Sequence, residues 1–108
     1  MWNELGVCFC FQKNYQTAMD CYNRAIKFNG NNDEYWSNKG YLLLLNGTKF
    51  FKYHNLDECI NCFNEALICF DQAMKIDGGN KYLEIFKQVI MDINSLNKDN
   101  TLPYMFGF

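Results

Sequence analysis

A phrase that the chain uses twice constrains its fold more than any other feature. Trp2-x-x-Leu5-Gly6-x-x-Phe9 recurs as Trp36-x-x-Lys39-Gly40-x-x-Leu43, with the two tryptophans 34 residues apart. Further along, Ala18-x-x-x-Tyr22-x-x-Ala25 recurs as Ala66-x-x-x-Phe70-x-x-Ala73. Each second half closes on a similar run, Ala25 to Gly30 and Ala73 to Gly78. Spacings of three and four put apolar residues on one face of a helix. Self-similarity at such a period marks a stack of helical units. Glycine on one helix and alanine on the next lack bulk, so two antiparallel helices can approach closely there.

Together these phrases resemble the tetratricopeptide repeat, which carries tryptophan, leucine, glycine and an aromatic on a first helix, then alanine and an aromatic on a second. The resemblance covers residues 1 to about 80. It implies an all-α fold of about five helices, in which antiparallel hairpins stack as a right-handed superhelix. A first repeat is expected at 1–32, an elongated second at 33–80 and a capping helix at 81–96, followed by a tail at 97–108. In two places the pattern departs from the family. Gly30 and Gly78 stand where a proline usually ends the motif, and are expected to stop their helices through left-handed caps. Lys39 replaces the leucine of the second copy. The first copy begins at its tryptophan, so its first helix is short, as in a piece of a longer array or an end packed against something else.

Facing residues of an antiparallel hairpin have position numbers with a constant sum. On that rule Gly6 faces Ala18 and Phe9 faces Tyr15. The second copy separates tryptophan from alanine by 30 residues instead of 16. Splitting the 14 extra residues evenly adds about two turns to each helix and keeps the register. Gly40 then faces Ala66, Leu43 faces Phe63, Gly47 faces Cys59 and Phe50 faces Leu56. Asn55-Leu56-Asp57-Glu58 reads as the capped start of the second long helix. The alternative is a loop from Gly47 to His54. Tyr82, Leu83, Phe86, Val89, Ile90 and Ile93 give a fifth helical stripe, suited to covering the last repeat.

Charge and composition exclude several function classes. A formal net charge of −2 lacks the basic footprint of a nucleic-acid binder. Tyr41 to Leu45 is too short an apolar run to span a bilayer and follows no basic leader, which suggests a cytosolic protein and an unglycosylated Asn46-Gly47-Thr48. Six cysteines in long helical patterns read as small hydrophobes rather than a disulfide framework.

The candidate chemistry is thin. Cys59-x-x-Cys62 with His54 nearby suggests a small metal or redox module, but zinc sites commonly take four ligands, and Cys8-x-Cys10 has the wrong spacing. With one histidine, His54, and two serines, Ser37 and Ser95, a nucleophile and base are hard to assemble. No catalytic residue, metal or cofactor is therefore assigned, and the chain is not expected to be an enzyme. The resemblance implies a protein-binding scaffold with a concave groove on its first helices. Carried over by position, that groove is lined by Asn3, Val7, Cys10, Phe11, Ser37, Asn38, Tyr41, Leu44 and Leu45. Some members clamp a partner's terminal carboxylate with lysines and asparagines there. The clamp lysines are absent here, and Val7 and Tyr41 stand at asparagine positions. The groove reads instead as apolar and aromatic, suited to a partner peptide or helix, or to a second copy of the chain. The apolar tail Leu102 to Phe108 could occupy it in either way.

Overall fold

The structure, a computed structural model, describes residues 1–78 and 81–98. Five helices follow one another: α1 (Trp2–Phe11), α2 (Tyr15–Phe28), α3 (Asp33–Lys52), α4 (Leu56–Ile76) and α5 (Lys81–Lys98). There is no strand among the described residues. The all-helical expectation holds, and so does the extended second hairpin. Residues 47–52 continue α3 as helix, and the chain turns only over Tyr53 to Asn55. The fifth helix begins where the periodicity placed it. The tail beyond residue 98 lies outside the described residues.

Asparagine starts three of the helices. The side-chain oxygens of Asn14, Asn32 and Asn55 accept from the backbone N–H groups of Thr17, Glu34 and Glu58, at 3.4, 2.9 and 3.3 Å. Each bond satisfies an amide that the helix cannot. Asp33, Glu34, Asp57 and Glu58 add negative charge to first turns, where the helix dipole favours it.

Both hairpins turn in the same way. In the first, the N–H of Lys13 donates to the Cys10 carbonyl and that of Asn14 to the Phe9 carbonyl; in the second, His54 donates to Phe51 and Asn55 to Phe50. Paired bonds of these spans form a Schellman cap, whose left-handed residue is usually glycine. Here it is Lys13 and His54, both at φ 62°. The glycines expected to play this part do not. Neither Gly30 nor Gly78 lies in the left-handed region of φ. Instead α2 and α4 end where Asn29 and Asp77 become extended, at φ −148° and −143°. A side chain on Gly30 would crowd the Ile26 carbonyl at 3.3 Å, and one on Gly78 the Met74 carbonyl at 3.4 Å. At Gly30 the approach is mildly tight, whereas the Gly78 contact is close to ordinary van der Waals distance and gives no reason for a glycine there. Gly30 also presents its carbonyl to the Trp36 indole N–H at 2.8 Å.

The helical glycines make a different contact from the small-to-small pairing that the register suggested. A Cβ on Gly6 would lie 2.5 Å from the Tyr22 ring, one on Gly40 2.6 Å from Phe70, and one on Gly47 2.7 Å from Phe63. In each case the ring belongs to a residue one turn beyond the alanine or cysteine placed opposite. The missing side chain makes room for an aromatic ring, not for another small residue. Phe63 and Phe70, with Leu43, Phe51, Cys59, Ala66, Cys69 and Ala73, form the core between α3 and α4. Leu83 and Ile90 of α5 join it, and Phe86 stacks on Phe70 with centroids 5.5 Å apart. A smaller cluster of Ala18, Tyr22 and Leu42 ties the first hairpin to α3. Lys39, the departure from the motif, costs little. Its counterpart Leu5 is 40% exposed, and its own ammonium lies 5.9 Å from the Trp36 ring.

Candidate protein-binding groove

A cavity of about 440 Å³ is lined by Val7, Cys10, Phe11, Lys13, Tyr15, Tyr22, Asn38, Tyr41 and Leu45, from α1, α2, α3 and the first turn. Six of the nine residues assigned to the groove are in that lining: Val7, Cys10, Phe11, Asn38, Tyr41 and Leu45. Turns of α1 and α3 place them there, because residues three and four apart share a helical face. Phe11 and Tyr41 are exposed, at 84% and 48%. Tyr41 is also 6.3 Å from Phe86, which connects this wall to α5.

The other three lie elsewhere. Asn3 is buried, at 4% exposure, and its amide donates to Glu34 Oε1 at 3.3 Å while its carbonyl accepts from the Asn38 amide at 2.9 Å. It fastens α1 to α3. The Ser37 hydroxyl donates to the Glu34 carbonyl of its own helix at 3.1 Å. Leu44 packs against the core of the second hairpin. Conversely, Lys13, Tyr15 and Tyr22 line the cavity without having been assigned to it. The register named Tyr15 only as the residue facing Phe9, with no link to the groove.

The floor is dry. Burial, helped by the nearby thiols of Cys10, Cys21 and Cys8, pushes the Tyr22 phenol up to about 12, so it stays neutral. Burial also raises the Cys10 thiol, which makes it a poor nucleophile at neutral pH. Asn38 contributes a polar group at the rim.

A second cavity of about 440 Å³ continues along α3 and shares Lys13, Tyr15 and Leu45 with the first. Thr48, Lys49, Lys52 and Tyr53 complete it. The Lys49 ammonium lies 5.8 Å from the Tyr15 ring centroid, within cation–π range.

The cysteine pair behaves as core. Cys59 is fully buried and Cys62 is 7% exposed. Burial pushes both thiols up to about 11, with Cys62 adding to the shift at Cys59 and Glu65 and Glu58 adding to it at Cys62. Metal and redox cysteines need the opposite shift, toward thiolate. His54 is exposed and occupies the left-handed turn position. Among the described residues, no group of three or more His, Cys, Asp or Glu side chains is arranged to hold a metal ion. No helix among them is long and apolar enough to cross a membrane.

The family model of the tetratricopeptide repeat matches residues 1–32. The first hairpin is a tetratricopeptide repeat. Its boundaries take in α1, α2 and the connection to α3. No curated protein and no solved structure matches the chain. Tetratricopeptide repeats are protein-interaction modules and typically not enzymes, so the match supports a scaffold that binds a protein partner.

Proposed function

We propose that the chain binds a partner peptide or helix in the concave groove between α1 and α3, seating an apolar side chain in the first cavity. The convergence of Val7, Cys10, Phe11, Asn38, Tyr41 and Leu45 on one cavity carries this reading. Its volume is in the range of about 300–1,000 Å³ typical of binding clefts. Two exposed aromatic rings at its rim supply the residue type that dominates interface energetics. The neutral floor favours an apolar anchor over a charged one.

Affinity capture with wild type and a Tyr41→Ala, Leu45→Asp double variant tests it. A second pair, Phe11→Ala with Tyr41→Ala, alters only exposed rings and guards against misfolding. Truncating an anchoring aromatic costs about 2 kcal/mol or more, a loss of roughly 30-fold in affinity. Equal yields of the same proteins from wild type and both folded variants would remove the groove from consideration. A variant that converted a dimer to a monomer would assign the cavity to a second copy of the chain.

A further inference from the structure

The second cavity differs from the first in charge. Lys13, Lys49 and Lys52 line it beside Tyr15, Thr48 and Tyr53. The chain has 12 acidic residues against 10 basic ones, yet no acidic residue lines either cavity. Among the described residues, neither the ion pair of Met1 with Glu4 nor that of Lys87 with Asp71 involves the three lysines. A concave wall with charge of one sign and no internal counterion focuses its field outward and attracts the opposite charge. Lys49 is further positioned over the ring of Tyr15, a residue that lines both cavities.

We infer that the partner is an acidic peptide segment, with an apolar side chain in the first cavity and neighbouring Asp or Glu carboxylates on the lysine shelf. This rests on the groove function proposed above and gives its ligand a chemistry. The shelf is built from a turn residue and from the added length of α3, not from the first-helix positions that carry lysines in carboxylate-clamping members. A peptide fits better than a nucleic acid. Three lysines beside an apolar cavity, on a chain of net charge −2, would oppose a long phosphate backbone beyond the shelf.

Selection from a displayed random 16-residue peptide library tests the inference, using the full chain, Lys49→Gln with Lys52→Gln, and Phe11→Ala with Tyr41→Ala. Wild type is expected to enrich peptides with an aromatic or large aliphatic residue flanked by Asp and Glu. Measured by fluorescence anisotropy, the Kd of a selected peptide should rise about threefold per lysine removed. That difference should vanish near 1 M salt, where screening reaches about 3 Å. Enrichment of apolar peptides with no acidic excess, lost in the Phe11 and Tyr41 variant, would overturn the shelf and leave the groove standing. Enrichment indifferent to that variant, or none at all, would overturn both. A single-stranded oligonucleotide that bound through Lys49 and Lys52 more tightly than the selected peptides would also refute the inference.

Discussion

Gly40→Ala separates a glycine that makes room for a ring from a glycine that merely sits in a helix. In an open helix the substitution should stabilise by about 1 kcal/mol through propensity. Here the new Cβ would meet Phe70 ring carbons at 2.6 and 2.9 Å. Carbon atoms prefer about 3.5–4.0 Å, so the ring must move by roughly 1 Å. Phe70 is 1% exposed and stacked on Phe86, so it has nowhere to go. Overpacking of this kind costs about 1–3 kcal/mol, and α3 must absorb the strain against α4. The net expectation is a loss of about 1 kcal/mol, read as a fall of roughly 4–8 °C in the melting temperature by circular dichroism. Phe70→Leu should be destabilising alone, through the cavity it leaves. In its background Gly40→Ala should become neutral or favourable, a coupling of about 1–3 kcal/mol in the double-mutant cycle. A stabilised single variant, or additive effects in the cycle, would refute the idea that the ring dictates the glycine.

The turns and the thiols give three more outcomes. His54→Gly should raise stability by about 0.5–1 kcal/mol in urea denaturation, because glycine relieves the left-handed strain at φ 62°; a loss would mean that the imidazole makes a contact of its own. Burial holds the Cys59, Cys62 and Cys69 thiols near 11 against an ordinary 9.0, so the unfolded chain loses these protons first. Stability should therefore be intact below about pH 9 and decline as pH rises through 11. Iodoacetamide at pH 8 should label exposed Cys8 in the native chain and these three only after denaturant is added.

The helices were legible because their signals are local and repeated. Glycine, alanine and aromatic residues at spacings of three and four mark faces, and the constant sum of facing positions was enough to extend the second hairpin through residues 47–52. What those glycines touch was not legible. A register pairs backbone positions, whereas a ring reaches across one turn, so Gly6 meets Tyr22 and Gly40 meets Phe70. The left-handed residues escaped for the opposite reason. Lys13 and His54 carry no sign of a left-handed conformation, while Gly30 and Gly78 advertise one that they do not adopt. Six of the nine positions taken from the repeat pattern line one cavity, but the pattern cannot tell which side chain is claimed by a neighbour. Asn3 is spoken for by Glu34 and Asn38, and Leu44 by the core. Lys49 and Lys52 of the second cavity were missed because the added length of α3 has no counterpart in the repeat pattern, and Lys13 because it lies in a turn between motif positions.

The two matching turns also show how this hairpin could change length. The first-helix motifs are offset by 34 residues, the turns by 41 and the second-helix motifs by 48, so each arm has grown by seven. Seven residues advance a helix by about 10 Å and bring it back to within about 20° of the same rotation. The tip is therefore carried outward almost without swivelling, as in a telescope, and its cap can be reused unchanged. Lengthening by this step displaces the end of the rod past its shorter neighbour while every older contact keeps its angle, which lets new surface be added to a repeat without redesigning the old.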